Sequence, residues 1–319
     1  MLRNPLDQTL LDALRHFHVE ALMSVIESEA MECAHLIADD DCSAADDIRL
    51  GGSPDLPEDV DWPAGVHDIG EQSKLANHVL QLDFGKILNL PASHLPQSGY
   101  LWLFLTSFSS TNIQVGGVFR PHSSKLHPRK LPPHANFVLG RTFGSMRLRM
   151  VPGISIPFAH LAIREAIERH ADFAGQGWQD IDQALTPAGS IGQIGGFAYS
   201  ADGLDLRRDI VLRRAGEVQF LGIDLYETME ELDESAKYVP PFVQTAEHSA
   251  IWRQSYDRSR AQMTYVGRYR EEIEQLRLLV RLTPYRAIGF DLYYPLWIYI
   301  RNEDLLRQKF DRLIAILAH

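Results

Sequence analysis

Residues Gly51–Pro63 read GGSPDLPEDVDWP, and this stretch divides the chain. Three prolines and two glycines in thirteen residues exclude both a helix and a long strand. Glycine opens backbone conformations closed to other residues, and proline fixes φ. The segment is therefore predicted to be extended, turn-rich and stiff, with Trp62 as its one large anchor. Upstream of it the chain reads as helical. Downstream it is dominated by strand-like runs.

Asn4 and Pro5 suit a helix N-cap and first turn. Leu10, Leu11, Leu14, Phe17, Ala21, Leu22 and Val25 then recur at helical spacing, and Ile26, Ala30, Cys33 and Ile37 extend the stripe. A helix ending near Ala38 is predicted, followed by an acidic linker. Residues 1–47 are thus read as an N-terminal extension and residues 48–319 as the main domain. In that domain VLQLDF (Val79–Phe84), YLWLFL (Tyr100–Leu105) and MRLRMV (Met146–Val151) read as strands, with Arg147 and Arg149 outward. So do VQFLGIDL (Val218–Leu225), the stretch Leu276–Leu282 and YPLWIYI (Tyr294–Ile300). PHSSKLHPRKLPPH (residues 121–134) holds four prolines and reads as a surface loop. A short helix is predicted over Phe158–His170, a glycine-rich turn over Gly189–Gly196, and a last helix after Asn302 with Leu306, Phe310, Leu313, Ile314 and Leu317 inward. The acidic stretch 227–234 reads as a solvated helix end or loop, and residues 254–275 as polar and ambiguous.

An internal echo is visible. Gly51-Gly52, VLQLDF and Gly99–Leu105 (GYLWLFL) follow one another in the first half, and Gly195-Gly196, LLVRL and YPLWIYI in the second. The order is a glycine pair, an apolar strand and an aromatic strand, with the second spacing longer. Two divergent copies, about 48–150 and 151–319, explain it economically. Chance is the competing explanation, since apolar strands ending in aromatics are common.

The opening motif resembles that of the YwqG-like family, a bacterial domain-of-unknown-function family with Gly-Gly-x-Pro-x-Leu-Pro followed by Trp-Pro. The matching positions are Gly51, Gly52, Pro54, Leu56, Pro57, Trp62 and Pro63. A Leu-x-Gln-Ile-Asp-Leu-like strand of the family is matched by Leu80, Gln81, Leu82 and Asp83, without the usual intervening residue. A further block is matched by Leu95, Pro96, Gly99, Leu101 and Phe104, and looser ones by Ile194–Ala198 and Leu296–Phe310. The likeness covers about residues 48–318. Two departures stand out. Arg281, Leu282 and Thr283 replace the second Gln-Ile-Asp, and Tyr294-Pro295 replaces a glycine before the last aromatic strand. The N-terminal helix is an extra, and the resemblance implies an α+β fold with internal duplication. Together with the strand reading, this predicts two divergent strand-rich copies in a mostly antiparallel, barrel-like core, with N- and C-terminal helices. It implies no established activity and carries over no catalytic residue.

Of 319 residues, 45% are hydrophobic and 23% charged, globular proportions that exclude disorder and fibre. No run of about 18 apolar residues occurs, so no membrane-spanning helix is expected. The opening MLRNPLDQTLLDAL lacks a signal-peptide profile. Cys33 and Cys42 are too few for a disulfide scaffold and fit the reducing cytoplasm. Lys+Arg 31 against Asp+Glu 42 leaves a net charge of −11, which disfavours nucleic acid.

Gln81 and Asp83 alternate with apolar neighbours and share a strand face. They either line a cleft between the copies or face solvent or the proline-rich loop. In the first case Asp83 is the natural acid or base, but no partner for it identifies itself. Trp62 is either presented to a partner from a rigid rim or buried beneath it. His122, His127 and His134 share the proline-rich loop, yet no HExxH, CxxC or EF-hand pattern occurs, so no metal and no cofactor is expected. Ser190 in AGSIG lacks the strand-then-helix setting of a nucleophile elbow. No catalytic motif is found, and the sequence does not decide whether the chain is an enzyme. Residues 39–61 hold nine acids, Asp55, Glu58, Asp59 and Asp61 among them, against Arg49 alone. They form either a solvated linker or a docking surface for a basic protein, an immunity-like role. The alternative is an enzyme or small-ligand binder using a cleft between the copies. Oligomeric state is not legible.

Overall fold

NHVLQLD (Asn77–Asp83) and YLWLFLTSF (Tyr100–Phe108) are rich in branched and aromatic side chains that suit a pleated surface. The first is buried along its whole length and the second along most of it. A computed structural model describes residues 5–39, 48–65, 74–87, 95–108, 113–122, 125–131, 136–158, 163, 167, 178–197, 199, 205–207, 210 and 270–318. Its strands are β1 (Met31–Ala38), β2 (Arg49–Leu50), β3 (Asp55–Leu56), β4 (Ala64–Gly65), β5 (Lys74–Leu75), β6 (Asn77–Asp83), β7 (Tyr100–Phe108), β8 (Ile113–Arg120), β9 (His127–Pro128), β10 (Met146–Ser155), β11 (Ser190–Ile194), β12 (Leu276–Leu282), β13 (Leu296–Arg301) and β14 (Ile314–Leu317). The helices are α1 (Pro5–His16), α2 (Met23–Glu29), α3 (Trp178–Leu185), α4 (Arg270–Gln275) and α5 (Asn302–Leu306).

Ten strands form one sheet in the order β14-β13-β12-β11-β1-β10-β2-β6-β7-β8, and every named pair in it is antiparallel. Its ends approach each other. A Cβ built on Gly117 of β8 would lie 2.4 Å from the Phe310 carbonyl oxygen and 3.1 Å from Leu313, which precedes β14. The chain is therefore a strand-rich α+β protein with a large, nearly closed antiparallel sheet. Leu36, Leu50, Leu80, Leu103, Val280 and Ile298 belong to the core inside it. The outer face is covered in three places. Leu14 of α1 and Ile181 of α3 pack with Ile156. Leu56 and Val60 of the opening segment pack with Trp102 and Phe104. Leu206 and Ile210 pack with Trp297 and Tyr299.

Both glycine pairs are left-handed turns, with φ of 67° at Gly51 and Gly52, 68° at Gly195 and 77° at Gly196. The Gly51 N–H donates to the Val79 carbonyl at 2.8 Å, and the Gly195 N–H to that of Leu279 at 3.2 Å.

Three expectations are corrected. The N-terminal helix does not reach Ala38. It breaks at His18, which has φ of 58°, resumes as α2, and gives way to β1, an interior strand between β10 and β11. A strand covered on both faces shows no alternation, and its apolar residues mimic a helical stripe. The last helix is only α5. Gln308 takes φ of 56°, and Ile314–Leu317 are a strand. In the glycine-rich stretch Ser190–Ile194 are strand, and the turn is Gly195-Gly196. The strand and acidic stretch expected at 218–234 lie outside the described residues, as do most of 158–170 and of 254–275.

Candidate functional site

The outer face of β6 and β7 holds the residues singled out in the first half. Gln81 is 0% exposed, and its amide belongs to the chain itself. Its Oε1 accepts from the Asp55 N–H at 2.9 Å and from Trp102 Nε1 at 3.1 Å, and its Nε2 donates to Asp55 Oδ2 at 3.4 Å. Asp83 is buried. Its Oδ1 accepts from the Gly85 N–H at 2.8 Å and from His122 Nε2, and the His122 ring lies 4.7 Å from that of Tyr100. Trp62 is half-buried, donates from Nε1 to the Ala76 carbonyl at 2.8 Å, and meets Phe104 and Phe137 edge-on. All three sit over one strand pair, but each is engaged separately, by Phe104 and Ala76, by Trp102 and Asp55, and by Tyr100 and His122.

The acidic candidates divide. Asp55 is partly buried and paired with Arg49 at 2.6 Å. The Glu58 and Asp59 side chains are 84% and 70% exposed, facing His127 at 3.4 Å and Arg120 at 3.5 Å. Asp61 is exposed. The backbone beneath them is clamped from the proline-rich loop. Arg129 Nη2 reaches the carbonyls of Pro57, Glu58 and Val60 at 2.8, 2.9 and 2.9 Å, and its N–H donates to that of Pro54 at 3.0 Å. Behind the turn, His78 Nδ1 faces the carbonyls of Gly51 and Gly52 at 3.0 and 3.1 Å. Burial pushes the His78 imidazole down to about 4, so it donates there as a neutral ring.

A second polar cluster lies where β1, β11 and β12 meet. Cys33 and His35 are two apart on a strand and share a face, with Sγ and Nε2 3.7 Å apart. Burial, with Asp182 adding to it, pushes the Cys33 thiol up to about 12. Burial, then the Arg281 cation, pushes His35 down to about 4. Both are neutral near pH 7, so this is no thiolate–imidazolium nucleophile. The Tyr199 hydroxyl donates to Asp182, whose carboxyl burial pushes up. Arg281 lies over the Trp297 ring, 5.3 Å from its centroid. Thr283 donates its N–H to the Ile191 carbonyl at 2.8 Å, and the Pro295 carbonyl accepts from Ala318 at 3.3 Å. Thr283 and Pro295 thus both sit in backbone pairing between neighbouring segments.

Among the described residues no group of three or more His, Cys, Asp or Glu is placed to hold a metal ion. His134 lies outside them. No helix among them is long and apolar enough to cross a membrane. No protein-family model matches the chain, and no curated protein matches it. Sequence reading missed His122 as the partner of Asp83 and Arg129 as the clamp. Both come from a loop about forty to seventy residues away in the chain, a separation no local pattern crosses. It missed the Cys33–His35 pair because it read that stretch as a helix, where residues two apart diverge.

Proposed function

We propose that the chain is a non-catalytic binding protein of YwqG-like build whose acidic rim docks a basic protein, an immunity-like role in the cytoplasm. The observation that carries this reading is the rim itself. Glu58, Asp59 and Asp61 project outward from a backbone held by Arg129 and by the Trp62 anchor. Carboxylates on a fixed backbone lose little freedom on binding, and a net charge of −11 steers a cationic partner toward them. Arg120 offsets part of that charge, and the His127 ring faces Glu58. The test is affinity capture from the native cytosol at low and high salt, with wild type and a Glu58→Lys, Asp59→Lys, Asp61→Lys variant. A basic protein held by wild type at low salt, and lost in the variant, supports docking. Capture that ignores the charge reversal sinks it.

The same proposal includes descent from a duplicated strand module. The sheet order is symmetric about the β1–β10 pair once these two strands are exchanged between halves. Arg49 opposes Gln81 and Gln81 opposes Trp102, as Gln193 opposes Arg281 and Arg281 opposes Trp297. Trp102 opposes Val118 as Trp297 opposes Ile316. The β6–β7 register shifts between His78 and Leu80, and the β12–β13 register between Leu278 and Val280. On this reading the copies begin at β1 and β10 rather than at residues 48 and 151.

A second reading, an enzyme or small-ligand binder, has one observation in its favour. The buried Asp83 carboxylate holds the half-exposed His122 imidazole, as an orienting acid holds a general base. A thermal-shift screen of nucleotides, sugars and metals tests it. A hit that survives Asp83→Asn unchanged removes the pair from the site.

A further inference from the structure

Direct cross-strand partners project from the same side of a sheet. Arg49, Gln81 and Trp102 form such a row in the first half. His35, Gln193, Arg281 and Trp297 form one in the second. The first row holds a carboxylate. Asp55 Oδ2 accepts from Arg49 Nη2 at 2.6 Å and from Gln81 Nε2 at 3.4 Å. Counted from the glycine pairs, Asp55 lies four residues after Gly51, and Tyr199 lies four after Gly195. Tyr199 brings no carboxylate to the second row, and its hydroxyl is spent on Asp182.

The second row therefore keeps a cation without the acid that the first row supplies. Among the described residues Arg281 forms no ion pair, and its buried Nε has no hydrogen-bond acceptor. His35 is 2% exposed, and its Nδ1 is unpartnered as well. The Cys33 thiol faces His35 Nε2 at 3.7 Å, and where it donates to that nitrogen the ring proton sits on Nδ1. Two buried nitrogens in one row, Arg281 Nε and His35 Nδ1, thus lack a hydrogen-bond partner, a cost that a bound oxygen pair removes when Nδ1 carries the ring proton.

We propose that this row is a binding site for a small carboxylate, seated over Gln193, with Arg281 Nε–H and His35 Nδ1–H donating to it as Arg49 and Gln81 donate to Asp55. The occupant of the first row sets the ligand class, and an N–H pair matches the two oxygens of a carboxylate. Asp182 is the acid in Arg281's field. Burial drives its carboxyl toward the neutral form, while the Tyr199 hydrogen bond and then Arg281 act in the opposite direction. The proposal leans on the correspondence between halves and not on docking at the rim.

The experiment follows the indole N–H of Trp297 by NMR in the full chain, identified by its loss in Trp297→Phe. Acetate, succinate and inorganic phosphate are titrated at constant ionic strength against chloride. The expected result is a saturable shift with a carboxylate in the millimolar range, a weaker one with phosphate, and a matching rise in Tm. Arg281→Gln, which restores the first-row residue, is expected to weaken binding at least tenfold, and His35→Gln to weaken it severalfold. No saturable shift in wild type overturns the site. So does an unchanged titration in both variants, or tighter binding of phosphate than of either carboxylate. The wild-type titration decides even if a variant fails to fold. A null titration leaves the correspondence standing, because that is read from register alone.

Discussion

His78 has no exposed surface to spare for a charge. Its ring donates to the two glycine carbonyls of the opening turn, and burial holds it neutral down to about pH 4, against about 6.5 for a free imidazole. Between those values the unfolded chain binds more protons than the folded one, so stability rises with pH across that window. Acidification from pH 6.5 toward 4 is therefore expected to cost on the order of a few kcal/mol at His78, with His35 acting in the same direction. Urea denaturation of wild type and His78→Gln at pH 7 and pH 4.5 checks this. The variant should lose distinctly less stability than wild type on acidification, and equal losses would contradict it. Asp55 makes a second residue-scale case. Its carboxylate pairs with Arg49 while its N–H holds Gln81, so Asp55→Ala strands a half-buried guanidinium but keeps the backbone bond. A loss of about 2 kcal/mol is expected, below the usual figure for a fully buried pair because both side chains retain some solvent. Equilibrium denaturation measures it.

The opening segment is the element on which the rim depends, and its turn separates two costs of replacing glycine. Gly51 and Gly140 share nearly the same φ, 67° and 68°. A Cβ at Gly51 would lie 2.2 Å from the Gly144 carbonyl oxygen, whereas one at Gly140 meets nothing within 4 Å. Gly140→Ala should cost only the left-handed backbone penalty, about 1 kcal/mol, and Gly51→Ala at least twice that, about 2 kcal/mol or more. Thermal unfolding of the two variants side by side gives the comparison, and equal losses would remove the steric part. The stiffness of this segment is legible in the sequence because proline and glycine act on their own backbone, wherever the chain goes next. The strands at Asn77–Asp83 and Leu276–Leu282 are legible from the alternation of apolar and polar residues, and that at Tyr100–Phe108 from its continuous apolar, aromatic run. Met31–Ala38 is not, because MECAHLIA carries good helix formers, and only its position between β10 and β11 decides for strand. Gln81 and Asp83 are legible as a pair on one face. What that face touches depends on Asp55 and His122, which long-range packing places.

At the scale of the whole molecule, one seam turns a ten-stranded ribbon into a nearly closed body. Phe310 lies between the halves, with ring centroids 5.9 Å from Phe84 and 5.2 Å from Phe119, which are themselves 6.0 Å apart. The missing side chain of Gly117 leaves room for the Phe310 backbone, since its carbonyl oxygen would sit 2.4 Å from a Cβ there. Closure thus combines buried aromatic area with one position kept empty, and the two can be removed separately. Phe310→Ala deletes the ring and should cost about 3–5 kcal/mol, the usual figure for a buried phenylalanine. Gly117→Val keeps every ring but inserts a side chain where the carbonyl lies, forcing β8 away from the chain that leads into β14. An open sheet exposes two edges and the apolar interior behind them. Gly117→Val is therefore expected to lower Tm, to raise binding of an apolar dye, and to promote association through the freed edges. Hydrogen exchange locates the effect. Faster exchange confined to β8 and β14, with β1 and β10 at the centre still protected, is the outcome for a seam that closes an otherwise intact sheet. Uniform loss of protection across all ten strands would mean instead that the halves do not hold together without closure, and that the seam is part of the core.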